Sequence, residues 1–452
     1  MRTTGSSITR LQPTARCGSV ARGRMRGVER RGRIAHAAVT AATLILGLCI
    51  SLDANAASLS ERIPGLFGGT LITTIQRGQS DKALAESQRL RFASQFQSLS
   101  ADLAAAHSQA PVPSASGAFR FAWDPELDTF VRSTESLGSG IAERAPTLGR
   151  YTGTFSVSYT HIDFDTLEGT PLNHLSFSQS AFSQAFTSRL EPADQAKFGT
   201  DLIQSQLNMG LSFDTIFFTG AFGITDDIDV SLALSVSDAH MHANIVSSVQ
   251  KAGGQPGNSF FLDANNRLVA KSGTLCGFPQ QPNARCATDG FTDSAFGTGD
   301  LFLRGKWHFY DTTYADFAVV GLLTIPTGNA DNFLGFNDPT FTPWLIASKE
   351  FGVVSPHLNL GYAFRSGADV SQAEWIGGAD VRATKWLTLA GDFLGYHDDK
   401  RDGINDDVLQ SAVGFKLNPF GKFVIGGTFQ FPLNRDGIRA DVIYSGQIEY
   451  TY

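Results

Sequence analysis

From Leu148 to Tyr452 the chain alternates apolar and polar side chains with a period of two, and nothing else in the sequence restricts the fold as much. In the last segment Ala440, Val442, Tyr444, Gly446, Ile448, Tyr450 and Tyr452 take one face, and Arg439, Asp441, Ser445, Gln447, Glu449 and Thr451 the other. Ile228, Val230, Leu232, Leu234 and Val236 oppose Asp229, Ser231, Ser235 and Ser237 in the same way. So do Leu301, Leu303, Trp307 and Phe309 against Asp300, Arg304, Lys306 and His308, and Phe423, Ile425, Phe429 and Phe431 against Lys422, Thr428 and Gln430. A soluble sandwich also alternates, so the connections must decide.

Twelve such segments are predicted, at 150–164, 201–221, 227–248, 297–310, 314–325, 339–349, 353–366, 372–383, 385–397, 406–418, 421–433 and 437–452. Tight turns at 223–226, 311–313, 350–352, 384 and 419–420 alternate with longer links at 165–200, 249–296, 326–338, 367–371 and 398–405. The last link, 434–436, is the one short exception. A soluble barrel has no reason to lengthen every other loop. Outer-membrane barrels do so: their periplasmic turns are short, their external loops long, and an even strand number returns both termini to the periplasm. Lipid offers no hydrogen bonds to a backbone, so a sheet within it must close, apolar outside and polar inside. The expected fold is all-β, a transmembrane antiparallel up-and-down barrel of residues 148–452.

Composition agrees. Charged residues are 17%, against about 25% in soluble domains, and there are 46 Gly and 35 Phe. No apolar run in the body of the chain is long enough for a membrane helix. A net charge of -7 argues against a general nucleic-acid binder.

Residues 1–56 read as a signal peptide: arginines from Arg22 to Arg33, an apolar run from Ala35 to Leu52, then Ala54-Asn55-Ala56, with cleavage between Ala56 and Ala57. Translation could start at Met1 or Met25. A lipoprotein box around Cys49 is the weaker reading, because Leu48 is too large at its position. The exported chain keeps Cys276 and Cys286 in one polar loop, and an oxidising compartment favours a disulfide between them. Too few ligands lie nearby for zinc.

Residues 57–147 form a periplasmic or plug segment. Phe92, Phe96, Leu99 and Leu103 share one face of a helix expected over 80–107, ended by Pro111 and Pro113. A short hairpin is expected over 119–133, its Phe119, Phe121, Trp123, Phe130 and Val131 able to enter the barrel mouth. A flexible periplasmic extension is the alternative.

Three phrases arrive in order: Phe222-Gly223-Ile224-Thr225-Asp226-Asp227-Ile228-Asp229-Val230, Gly299-Asp300-Leu301-Phe302-Leu303-Arg304, and Leu323-Thr324-Ile325-Pro326-Thr327-Gly328. With Ala142-Glu143-Arg144-Ala145, Thr147-Leu148-Gly149-Arg150 and Phe431-Pro432-Leu433-Asn434, they resemble the outer-membrane β-barrel family of the MetA pathway of phenol degradation, over residues 118–452. The resemblance implies a transporter-like barrel associated with aromatic or hydrophobic compounds, and no catalytic residues. The long-chain fatty-acid channels are a looser likeness, and their Asn-Pro-Ala plug motif is missing from this sequence.

Candidate lumen-facing residues on a substrate path are Asp229, Arg304, Lys306, His308, Asp316, Arg365, Asp380, Arg382, Asp392, Lys416, Lys422, Arg439, Asp441 and Glu449. Both signs occur, so the same residues could also pair and fill a narrow lumen. Trp307, Trp344, Trp375, Trp386, Tyr362 and Tyr310 read as an interfacial girdle, with a sugar-stacking platform as the minor alternative. The acidic loop 398–407 fails the calcium template at Lys400 and Leu409. His397 beside Asp398 is the one pair at a loop edge that invites catalysis, and Asp-rich loops explain it without an enzyme.

The function expected is passive diffusion of small, hydrophobic or aromatic molecules through an outer-membrane channel of a Gram-negative bacterium, with no cofactor, metal or nucleic acid. The alternative is a closed structural or surface-binding barrel acting through its external loops. Partners expected are membrane lipid and lipopolysaccharide, and the outer-membrane assembly machinery, which would read the aromatic C-terminal strand.

Overall fold

In the computed structural model the described residues are 58–62, 66, 72–73, 112–114, 121–124, 129–132, 136–180, 192, 201–251, 261–262, 274–275, 285–365, 371–399 and 407–452. Twelve strands form the wall: β1 Gly153–Leu167, β2 Asp201–Gly223, β3 Ile228–Lys251, β4 Arg285–Asp311, β5 Asp316–Ile325, β6 Thr340–Ser348, β7 Val354–Arg365, β8 Gln372–Arg382, β9 Leu387–Asp398, β10 Asp407–Phe420, β11 Phe423–Pro432 and β12 Ile438–Thr451. Each pairs antiparallel with its neighbours in sequence, and β12 pairs with β1, with Tyr450 opposite Phe155 and Gly446 opposite Tyr159. That last ladder removes both free edges, as a sheet in hydrocarbon requires.

The tight turns all lie at one end of the ring. Thr312 closes one by accepting the N–H groups of Tyr314 and Ala315 on its hydroxyl. At the opposite, loop end, Leu175–Ser180 adds to the edge of β2 beyond β1, opposite Leu202–Leu207. The expected hairpin is present as Phe121–Asp124 paired with Thr129–Arg132. The leader with Ala56 and Ala57, the helix expected over 80–107, Cys276 and the side chain of Cys286 lie outside the described residues.

Along β2 the outward positions are Gln206, Asn208, Gly210, Ser212 and Asp214, then Ile216, Phe218, Gly220 and Phe222 toward the turn. The inward positions run the other way: Leu207, Met209, Leu211 and Phe213, then Thr215. In β3 the outward face passes from Ile228, Val230 and Leu232 to Asp238, His240 and His242, and the inward face from Asp229 and Ser235 to Ala239, Met241, Ala243 and Ile245. Polarity therefore inverts partway up the wall. The lower stretch has lipid outside and a polar lumen. In the upper stretch water lies outside and an apolar core within. From Asp214 to Gly223, at about 3.3 Å per residue and a tilt near 40°, the lower belt stands roughly 25 Å tall, the hydrocarbon height such barrels span.

The inversion corrects one expectation. Strand β4 begins at Arg285 rather than 297, and only 252–284 separate β3 from β4. Residues 288–295 lack greasy outward positions because they stand above the belt: Thr292 and Ser294 face water while Phe291 and Ala295 pack inward, and the first large apolar side chain on the outer face is Phe296.

The upper core joins Ile162, Phe164, Leu211, Phe213, Met241 and Ile443 from the wall with Leu59 and Leu66 from the N-terminal segment and Phe333 and Leu334 from the β5–β6 loop. Asn329 caps a 3-10 turn at Ala330–Asn332, and Phe333 follows at φ 61° with its ring fully buried. Each large side chain removed from water there contributes about 1.5–3 kcal/mol. The Leu59 N–H donates to Asn332 Oδ1 at 3.1 Å, and Arg62 pairs with Asp293 at 2.6 Å.

Candidate transport lumen

At the turn end, residues 136–150 run inside the ring. The stretch Ser136-Leu137-Gly138-Ser139-Gly140-Ile141-Ala142-Glu143-Arg144-Ala145-Pro146 has neither a helical nor a strand period, so its backbone needs partners from elsewhere. Inward side chains of the wall supply them. The Leu137 N–H donates to Thr388 Oγ1 at 3.0 Å, Glu143 N–H to Asn359 Oδ1 at 3.0 Å, Ala145 N–H to Ser348 Oγ at 2.9 Å and Leu148 N–H to Asp229 Oδ2 at 2.8 Å. Asn359 Nδ2 returns a bond to Glu143 O at 2.9 Å, and Ser139 Oγ donates to Asp392 at 2.8 Å. Strands β3, β6, β7 and β9 thus grip one segment from several sides.

Charge adds to the grip. The Glu143 carboxylate meets Arg304 at 2.6 Å and Lys306 at 3.1 Å, all three side chains largely buried. Arg144 reaches Glu350 at 3.4 Å and Ser136 O at 3.3 Å. His357 Nε2 stands 2.6 Å from Asp392 Oδ1, with both side chains buried. They sit on β7 and β9, and the residue between them on β8 is Gly378, opposite both. A Cβ at Gly378 would fall 2.2 Å from Asp392 Oδ1. Glycine there is what lets the imidazole and carboxylate meet across a strand.

Above the segment the lumen opens into a chamber of about 230 Å³. Ile141 and Glu143 contribute to its lining from the inserted segment, Phe217, Phe302, Leu322, Trp344 and Ile346 are its apolar wall, and Arg304, Arg365, Glu374, Gln410 and Gln430 are among its polar groups. Trp344 lies opposite Gly361, where a Cβ would fall 2.6 Å from the indole. Arg365 lies over the Phe336 ring at 5.0 Å. The Gln430 amide is buried, and both of its polar atoms lack a hydrogen-bond partner among the described residues. Such a space suits a small, mostly apolar guest with one polar end.

All but two of the expected path residues divide in three groups. Arg304 and Arg365 line the chamber. Asp229, Lys306, Asp380, Asp392, Lys416 and Glu449 are buried beneath it, Lys416 lying 4.0 Å from Glu449, and Arg382 is inward by register opposite Thr388. The rest serve the ends. His308 is 2.8 Å from Asp311 at the turn rim, Asp316 is 2.7 Å from Lys349, and buried Arg439 donates to Leu409 O at 2.9 Å and also bonds Asn434.

Two members do not face the lumen. Lys422 is exposed in the β10–β11 turn, one residue before β11 begins. Asp441 is exposed on the outside, because register shifts between Arg439 and Ile443 turn the β12 face over. In the girdle, Trp307, Trp386 and Tyr310 are exposed on the outer surface and Trp375 and Tyr362 share the outer register, but Trp344 points inward. His397 faces out and pairs with Asp407 at 2.6 Å, away from the lumen. Sequence reasoning passed over Ser139, Ser348, His357, Asn359 and Thr388, which carry no fixed charge or belong to a segment without periodicity. For the wall residues the signal was available: Ser355, His357 and Asn359 alternate with Val354, Leu358 and Leu360.

No protein-family model matches the sequence, and no curated protein does. Among solved structures, a FadL homologue of Pseudomonas aeruginosa aligns at 9% identity over 68% of this chain and 91% of its own, with a TM-score of 0.31. The toluene transporter TbuX of Ralstonia pickettii aligns at 12% over 67% and 89%, TM-score 0.29. The monoaromatic hydrocarbon channel CymD aligns at 7% over 67% and 88%, TM-score 0.30. Superpositions this loose carry no inference about this chain.

Proposed function

We propose that this chain is an outer-membrane channel through which small hydrophobic or aromatic molecules diffuse, closed at rest by residues 136–150. One observation carries the reading: a chamber lined by Phe217, Phe302, Leu322 and Trp344 lies inside a closed lumen, and part of its lining is a segment held by side-chain bonds rather than built into the wall. A barrel needed only as a scaffold would gain stability by packing that space shut. The motif resemblance to the MetA-pathway barrels supports the same class of cargo. In this reading the turns face the periplasm, residues 1–56 are the export leader, Cys276 and Cys286 are bonded in an external loop, and the assembly machinery recognises β12.

Single-channel conductance in planar bilayers tests it. The intact protein is expected to give small, brief openings, and a variant lacking residues 137–145 a several-fold larger, persistent conductance. If that variant inserts as a folded barrel and still conducts nothing, the lumen is sealed by its walls and the alternative of a closed structural or surface-binding barrel takes over.

A further inference from the structure

The ion pair of the Arg304 guanidinium is made to the inserted segment. Its described polar partners are the Glu143 carboxylate at 2.6 Å, from that segment, and the Pro113 carbonyl at 3.5 Å, from residues 112–114. An arginine does not shed its proton to escape burial. When the segment leaves, Arg304 keeps only the 3.5 Å contact to the Pro113 carbonyl and loses its carboxylate, so an anion entering from the chamber can take the place of Glu143. The same guanidinium lines the chamber, as do Phe302 and Trp344 and a second guanidinium, Arg365. Asp300, also at the chamber, is turned to the β5–β6 loop, where it accepts the N–H groups of Gly328 at 3.0 Å and Phe336 at 2.9 Å.

We propose that the cargo is a small organic acid, an apolar ring or chain carrying one carboxylate, and that this carboxylate opens the channel by replacing Glu143 on Arg304. The inference rests on the reading of the lumen as a passage. The apolar body lies against Phe302, Leu322 and Trp344 while the carboxylate approaches Arg304 from the chamber side, in the planar two-point geometry that guanidinium favours. Glu143 is then released together with the residues that flank it. Opening is thereby coupled to occupancy, and a neutral molecule of the same shape fills the chamber without unlocking it.

Benzoate and benzamide, nearly equal in shape and different in charge, separate the possibilities. Binding to the purified full-length protein is measured by calorimetry, and gating by single-channel recording with each compound present. Benzoate is expected to bind about ten-fold more tightly than benzamide, the weight of one charge-assisted contact, and it alone raises open probability. Glu143→Gln removes the resident competitor, so it should tighten benzoate and open the channel with no ligand. Arg304→Gln should erase the preference for benzoate while leaving benzamide binding in place, and retained benzamide binding shows that the variant is folded. Equal binding of the two compounds, or weaker benzoate binding in Glu143→Gln, overturns the acid-specific latch and leaves the passage standing. No binding of either compound, with no conductance from the variant lacking 137–145, removes the passage itself.

Discussion

Gly378 shows how much a missing side chain can do. With His357 on one side and Asp392 on the other, it leaves an opening through which the imidazole and carboxylate meet, and Asp392 then holds Ser139 of the inserted segment with its other oxygen. Removing the carboxylate by Asp392→Ala leaves His357 and Ser139 buried without that partner, a loss on the order of 2–3 kcal/mol. We expect a lower unfolding midpoint in urea together with a higher open probability, since wall and gate lose the same bond. Gly378→Val should open the channel in the same way by pushing Asp392 aside. If either variant kept the wild-type gating, the Ser139–Asp392 contact would have no part in closure. Trp344 uses the same device at Gly361: its indole occupies the place a side chain would take and so belongs to the chamber rather than the membrane surface.

Single strands carry two environments in sequence. In β2 and β3 the outward face is apolar below Asp214 and Asp238 and polar above them, so equal substitutions should have unequal costs. Phe218→Lys or Leu232→Lys, within the belt, should destabilise the folded barrel by about 2–4 kcal/mol. Asn208→Lys and Asn244→Lys, on the same faces above it, should change stability by less than about 0.5 kcal/mol. Urea unfolding in lipid vesicles checks both pairs, and a uniform cost along the strand would remove the proposed boundary.

The same inversion explains what was legible in the sequence. Strands within the belt announce themselves by period-two greasy positions, and these set the count and the order correctly. Residues 285–295 read as loop because the apolar side chains Phe291 and Ala295 lie on the other face, and the outward series starts only at Phe296. Parity alone places Asp441 inward, and parity fails across a register shift. The segment 136–150 gave no pattern because its conformation is set by Thr388, Asn359, Ser348 and Asp229, which lie far away in sequence.

Closure belongs to the whole molecule. The β12–β1 ladder is the seam of the ring, and without it β11 and β1 would present unpaired edges to lipid. A chain ending before Ile438 should therefore lose its compact, heat-modifiable band on cold SDS gels and fail to enter vesicles. A folded, detergent-resistant ring from that chain would mean that β12 is dispensable. The inserted segment is fastened to this ring at its own foot. Leu148 is bound to Asp229, and β1 begins only five residues later at Gly153. A stretch let go by its partners higher in the bore thus stays on a short leash, and shutting the passage again is a swing back over a few residues and not a search through solution.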